Sequence, residues 1–228
     1  MQTIPAPRLP AQAFPFPVLA GTTAGAARLP GRPMRLPRGG MVYAEGAAAS
    51  ELYKVVSGTI RTLRILPDGR RLVASFALPG EVFGLEGLGL HRFTAEAVTE
   101  SVVIAFNRRE IEDCIGREPQ AAHSWQAFTL EELAAAQDRC ILLGRKSACE
   151  RVASFLLDLE ARGEQQRDVI DLPMSRYDIA DYLGLTAETV SRVLSSLRKR
   201  RLVADAGLHR LRIADRAMLE ELARDGEA

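Results

Sequence analysis

Cysteine is scarce in this chain of 228 residues, which has only Cys114, Cys140 and Cys149. They form neither a disulfide framework nor a short-spaced thiolate pair that could hold a metal, so a reducing, intracellular setting is expected. Net charge is equally scarce. The 30 basic and 29 acidic side chains leave a formal +1, so attraction to a polyanion has to come from a local cluster. No apolar run reaches the ~18 to 20 residues of a membrane span. The stretch AQAFPFPVLAGTTAGA, Ala11 to Ala26, has some secretory-signal character, but its prolines interrupt it and only Arg8 precedes it, so no leader is expected. A glycine-rich phosphate loop and a close His/Cys/Asp cluster are also missing, and Gly80 to Gly89 lacks the spacing of a dinucleotide site. No catalytic, cofactor-binding or metal-binding residue is therefore expected, and the chain does not read as an enzyme.

What is present centres on Ser175 to Arg201, SRYDIADYLGLTAETVSRVLSSLRKRR. From Arg176 to Leu183, Tyr177, Ile179, Ala180 and Leu183 fall on one helical face. Gly184 interrupts, and Thr186 can cap a second helix. In that helix Ala187, Val190, Val193, Leu194 and Leu197 make the apolar stripe, leaving Glu188, Ser191, Arg192 and Arg198 outside it. Two short helices around a glycine turn are the pattern of a helix-turn-helix, and equally of an ordinary helical hairpin. Arg176, Arg192, Arg198, Lys199, Arg200 and Arg201 outnumber the acids of this stretch, a local electrostatic footprint of the kind nucleic acid requires. A solvated helix C-terminus would also welcome the last four cations. Val169 to Leu172 before the helices, and Leu202-Val203 with Leu208 to Ile213 after them, read as strands. With Ala206-Gly207 as the turn, they make the unit a winged helix-turn-helix.

Upstream, residues 1 to 33 are rich in proline, alanine and glycine and are expected to form a flexible tail. From Met34 short strands follow at Met41 to Tyr43, Leu52 to Val56, Gly58 to Ile65, Arg71 to Phe76, Glu81 to Phe83, Phe93 to Val98 and Val102 to Phe106. Turns fall at Glu45-Gly46, Ser57-Gly58 and Pro67-Asp68-Gly69. This predicts a small antiparallel barrel or jelly roll. A helical region begins near Arg108, and a longer helix runs from Gln120 to about Leu143. Its small residues suit packing on two sides, by the roll and by a second chain, or burial within one monomer. Ser147 to Leu159 is a further amphipathic helix, and Arg162 to Asp168 a charged link.

Order and motif together resemble the Crp–Fnr superfamily of bacterial transcription regulators, over residues 34 to about 223. The residues that carry the resemblance are VVSGTIRTLRILPDGRRLVASFALPGEVFG in the roll, AQDRCILLGRKSACERVASFLLDL at the end of the long helix, and LPMSRYDIADYLGLTAETVSRVLSSLRKRRLV. Glu188-Thr-Val-Ser191-Arg192 at the start of the reading helix is most similar to the FixK/Fnr branch. The resemblance implies an α+β chain in four parts: the tail (1–33), a cyclic-nucleotide-binding-like β-roll (34–118), a dimerisation helix (119–145) and a winged helix-turn-helix (146–228). It also implies a cytoplasmic homodimer that binds palindromic promoter DNA, contacts RNA polymerase and usually activates transcription. Carried over by position, Glu188, Ser191 and Arg192 read bases. Arg192 can donate a bidentate pair to guanine and Glu188 can accept from cytosine N4, whereas a Glu188–Arg192 surface salt bridge is the plain alternative. Ala187, where cyclic-AMP receptor members carry arginine, favours the Fnr-like half-site TTGAT. Ser175, Arg176, Thr186, Thr189, Arg198 and Lys199 are candidates for contacts to the DNA backbone, and Trp125 and Phe128 for the dimer interface.

The sensory pattern of the family is not kept. Leu85 follows Gly84 where cyclic-nucleotide binders have the ribose-binding Glu, and a leucine cannot accept a hydroxyl hydrogen bond. Arg92 is followed by Phe93 rather than by Ser or Thr, so the phosphate clamp is broken. Three cysteines, none before Cys114, cannot supply the four-cysteine cluster of oxygen-sensing members, and His91, His123 and His209 lack local support as haem ligands. The expectation is a regulator without cofactor. The alternatives are one that needs a cyclic nucleotide, haem or redox signal, and a ligand-binding roll whose winged domain mediates protein contacts.

Overall fold

The computed structural model of the chain describes residues 29–87, 89–163 and 168–224. The expected tail lies outside the described residues as far as residue 28, as do the middle of the charged link and the last four residues. Eight strands build the roll: β1 (Gly31–Leu36), β2 (Met41–Tyr43), β3 (Glu51–Ser57), β4 (Ile60–Ile65), β5 (Arg71–Ala77), β6 (Val82–Phe83), β7 (Thr94–Ala97) and β8 (Ser101–Asn107). They pair antiparallel into two four-stranded sheets, ordered β1-β8-β3-β6 and β2-β7-β4-β5. Alternation sends Tyr43, Tyr53, Val55, Ile60, Phe83, Ala95 and Val103 into the space between the sheets. Strand β1 is not anticipated from the sequence. Its Pro33 cannot donate to a ladder, and β1 is an edge strand, where that loss is tolerated.

Helix α1 (Arg108–Arg117) leads to α2 (Pro119–Arg145), whose 27 residues span roughly 40 Å at 1.5 Å per residue. Ala121 is the buried residue of α2. Trp125, half-buried, packs on the roll cluster of Leu52, Phe106, Ile111 and Cys114, with Phe128 tilted against it at 6.0 Å. Trp125 therefore lies toward the chain's own roll. The large apolar residues that α2 leaves exposed are Leu130, Leu133 and Ile141. Beyond it come α3 (Ala148–Arg162), β9 (Val169–Asp171), α4 (Arg176–Leu183), α5 (Ala187–Lys199), β10 (Val203–Gly207), β11 (Arg210–Ile213) and α6 (Arg216–Ala223), with β10-β11-β9 forming a three-stranded sheet. The wing turns at Leu208-His209, two residues later than the sequence suggests, because Ala206 and Gly207 still belong to β10.

The largest core joins the roll to this unit. Leu63, Val73, Phe76 and Leu78 cluster with Val152, Phe155, Leu156, Ile179, Leu183 and Leu194, and the rings of Phe76, Phe155 and Tyr182 meet at 5.2 to 6.2 Å. Around this centre arginines fix the alignment. Asp178 on α4 is 3% exposed and accepts from Arg61 Nη1 and Arg71 Nη2, both at 2.7 Å, while Arg71 Nε reaches Asp181 at 2.7 Å. The same carboxylate accepts from the backbone N–H and hydroxyl of Ser175, closing the capping box of α4. At the opposite edge Arg162 forks onto both oxygens of Glu81 at 2.8 Å.

Burial pushes the Asp178 carboxyl up, but Ser175, Arg61 and Arg71 outweigh it and hold the group below its ordinary 3.8. A folded-state value lowered in this way gives stability that is whole above that ordinary value and is lost as pH falls below it. Asp178→Asn should therefore cost roughly 3 kcal/mol near neutral pH and flatten the acid limb of the stability profile. Urea titrations from pH 7 to 3 check this, and parallel acid limbs in the two proteins would contradict it.

Candidate nucleic-acid interface

The local sequence dictates how α5 is presented. Helix α4 ends at Gly184, whose φ of 63° and ψ of 42° place it in the left-handed region that glycine enters without penalty. Its N–H donates to the Ala180 carbonyl, and that of Leu185 follows to the same acceptor at 3.0 Å. Two residues on, the Thr186 hydroxyl caps α5 by accepting from the Thr189 N–H at 3.1 Å. Val190, Leu194 and Leu197 then sink into the core, each at most 1% exposed, so the opposite face of α5 must point to solvent.

That outward face carries the expected residues. Glu188, Ser191, Arg192 and Lys199 are exposed. The carboxylate of Glu188 and the guanidinium of Arg192 form no ion pair among the described residues. Arg192 Nη2 instead donates weakly to the Thr189 hydroxyl at 3.3 Å, and the Ser191 hydroxyl folds back on the Ala187 carbonyl at 2.8 Å. The surface salt bridge anticipated as the plain alternative is thus not made, which leaves both charged groups free to meet other partners. Ser195 and Ser196 extend the face; with Ser191, Arg192 and Lys199 they line one open groove along the helix. Continuing from Ser191 and Arg192 by one helical turn would have found them.

The candidates for backbone contact are less uniform. Ser175 and Thr186 act as N-caps, Thr189 is half-buried, and Arg198 pairs with Asp205 of the wing at 2.8 Å. Arg176 is half-buried, and its pKa is pushed down by burial and by the charge of Arg198. Two cations are thereby held close together near the reading face, a local positive field in a chain of near-zero net charge. Sequence reasoning missed two exposed groups on this unit: Tyr177, 72% exposed beside Arg176, and Leu208, 88% exposed at the wing tip. From the sequence alone, Tyr177 reads as part of a packed helical face and Leu208 as part of a strand.

In the roll, His91 is buried and stacks on Tyr43 with centroids 3.6 Å apart and planes 9° from parallel. The Tyr43 hydroxyl donates to Glu86 Oε1 at 2.7 Å, and the same oxygen lies 3.4 Å from His91 Nδ1. Burial lowers the His91 pKa against the opposing pull of Glu86. Leu85 packs against the apolar cluster beneath α1, Arg92 is exposed, and Phe93 lies under the Arg64 guanidinium at 5.7 Å. No group of three or more His, Cys, Asp or Glu side chains among the described residues could hold a metal ion. Cys114 is buried, Cys149 half-buried and Cys140 exposed, each as a free thiol. No helix among the described residues is long and apolar enough to cross a membrane.

Comparison with known proteins agrees with this geometry. Residues 33–118 match the cyclic nucleotide-binding domain, and residues 150–222 match the Crp-like helix-turn-helix domain. The nitrogen fixation regulation protein FixK of Rhizobium meliloti is 46% identical over 166 residues, covering 72% of this chain and 74% of that protein. The transcriptional activatory protein AadR of Rhodopseudomonas palustris is 39% identical over 165 residues, with 71% and 69% covered. The solved structure of FixK2 from Bradyrhizobium japonicum superimposes with a TM-score of 0.81 at 40% identity, covering 88% of this chain and all of that one.

The left-handed Gly184 is the hinge of the motif. An added Cβ would meet nothing closer than 3.5 Å, so backbone strain alone opposes a side chain there. Gly184→Ala should lower stability by about 1 kcal/mol, read as a shift of the urea midpoint with unchanged slope. A loss several times larger would mean that the turn is held by packing rather than by conformation.

Proposed function

The chain belongs to the Crp–Fnr superfamily of transcription regulators, in its FixK/Fnr-like branch, and from that membership we propose that it binds promoter DNA as a cytoplasmic homodimer at a palindrome resembling TTGAT-N4-ATCAA. The observation that carries this reading is the outward face of α5, where Glu188 and Arg192 stand four residues apart, exposed and unpaired with each other. That spacing lets Arg192 donate to guanine O6 and N7 while Glu188 accepts from cytosine N4. Ser191 between them is small enough for close approach. Ser175, Arg176, Thr186, Thr189, Arg198 and Lys199 surround this face and hold the DNA backbone, which positions the helix without reading sequence.

The dimer reading is supported by α2. Leu130, Ala134, Gln137, Ile141 and Gly144 recur at spacings of four and three, and all are exposed, with Leu133 beside them. This is the seam of a two-helix coiled coil. Two-fold symmetry about it would bring two copies of α5 to successive major grooves, about 34 Å apart. The family resemblance extends the reading to activation through RNA polymerase, in a regulon responding to oxygen or nitrogen status. It includes no cyclic nucleotide, because Leu85 and Phe93 replace the groups that would hold one.

Arg192→Ala should lose about 1 to 3 kcal/mol per half-site and flatten the preference for guanine. Gel-shift titrations on matched and scrambled duplexes measure both. Equal losses on the two would mean that Arg192 holds phosphate, and the base-reading assignment would fall. For assembly, a double substitution of Leu133 and Ile141 by glutamate should convert a particle of two-chain mass into one of one-chain mass in light scattering. A two-chain mass in that variant would exclude this face of α2 from the interface.

A further inference from the structure

One side chain touches all three parts of the molecule. Arg139 projects from the last two turns of α2, between Gln137 and Ile141 of the exposed seam. Its Nη2 donates to the carbonyls of Val73 at 2.6 Å and Tyr182 at 3.0 Å, its Nη1 donates to the carbonyl of Ala74, and its guanidinium lies 3.9 Å over the Tyr182 ring. Among the described residues no carboxylate pairs with it.

The carbonyls of Ala74 and Tyr182 are ones that their own elements leave without a partner. Strand β5 is the outer strand of its sheet, and its register with β4 slips between Leu63↔Val73 and Thr62↔Ser75, leaving Ala74 as a bulge without a partner. Tyr182 lies in the last turn of α4, where a helix has no internal donors for its carbonyls. A second arginine continues the pattern. Arg151 donates to the carbonyls of Leu183 and of Leu143, tying the same end of α4 to the end of α2. The glycine turn and α5 follow immediately. A planar fork of five donors can serve three acceptors in different directions, which an ammonium on a flexible stem does far less well.

We propose that Arg139 is a positioning residue for DNA reading, fixing α4, and through Gly184 the reading helix, to the dimer helix and to the edge of the roll. The proposal rests on the DNA reading above. If each reading unit is clamped to α2, the separation of the two copies of α5 is set by the dimer itself. Loosening the clamp lets them accept other separations at lower affinity.

The experiment uses the full chain and fluorescence anisotropy on duplexes with TTGAT and ATCAA half-sites separated by three to six base pairs. Wild type should favour the four-base spacer. Arg139→Ala should bind that duplex about tenfold more weakly, within the usual range of couplings between sites, and its preference among spacers should flatten. Arg139→Lys should fall between, keeping the charge but not the fork. A folded Arg139→Ala protein with wild-type affinity and spacer profile would overturn the proposal. So would an equal loss at every spacer with the profile intact, the mark of a smaller active fraction alone. Should the alanine variant fail to fold, the lysine variant decides by the same two readouts. Wild type failing on every duplex would overturn the DNA reading itself, and the clamp with it, a failure visible without any substitution.

Discussion

A carboxylate removed from water has to be given donors, and Asp178 is given them by two units at once. It is the third residue of α4, so it closes the capping box with Ser175 and thereby sets where the helix begins. It is also the anchor for Arg61 and Arg71, which come from strands more than a hundred positions earlier. A shift of α4 across the roll would leave a buried charge unpaired, which costs several kcal/mol. The favourable energy of docking comes from elsewhere. Phe76, Phe155, Val73 and Leu183 are each at most 3% exposed at this junction, and full burial of such side chains stabilises by about 1.5 to 3 kcal/mol apiece. The apolar centre holds the units together, and the ring of arginines decides in which orientation.

That division explains what was legible in the sequence. The helix-turn-helix could be read because its signals are local: a cap, an apolar stripe at helical spacing, a glycine and a second cap. The strands of the roll could be read for the same reason, except β1, where Pro33 argues against a strand unless the strand is known to lie at an edge. The wing was found but its turn misplaced, since Ala206-Gly207 satisfies turn chemistry as well as Leu208-His209 does. Arg61, Arg71, Arg139 and Arg162 could not be read at all. Each looks like an ordinary solvated cation until folding places its partner beside it. Trp125 and Phe128 show the same limit: the resemblance offers them for the dimer interface, and only the structure shows that Trp125 packs on the chain's own roll. The exposure of Glu188, Ser191 and Arg192 on α5 was legible from the apolar stripe opposite them, whereas that of Tyr177 emerged only from the structure.

The roll matches the cyclic nucleotide-binding domain, and aromatic rings fill much of its interior. Phe83 stacks on both Tyr43 and Tyr53, which are tilted against each other, and His91 lies flat on Tyr43. A polar ligand entering this space would have to displace ring contacts and compete with the Tyr43 hydroxyl for Glu86. The Tyr43 phenol is itself pushed upward in pKa by burial and by Glu86, so it stays a donor to that carboxylate at any physiological pH. These contacts stabilise the roll as a packed body, and they do so with residues that the sequence presents as unrelated members of a strand, a loop and a turn.

The internal contacts of this chain hold α5 in one orientation relative to the roll. A ligand can move an equilibrium between two orientations only through unequal affinity for them. Without such a ligand, the populated orientation is the one favoured by the internal contacts. Here those contacts are numerous and mutually dependent: Asp178 requires Arg61 and Arg71, the β5 bulge requires a donor such as Arg139, and the end of α4 requires Arg139 and Arg151 together. In the proposed dimer, α2 would supply Arg139 and also the seam of Leu130, Ala134, Gln137 and Ile141, so that pairing of two chains and alignment of their two copies of α5 would act through one helix. On the proposed reading, such preorganisation would raise affinity for a correctly spaced palindrome by removing the ordering cost of two loosely tethered domains. The same rigidity would discriminate against half-sites at any other separation.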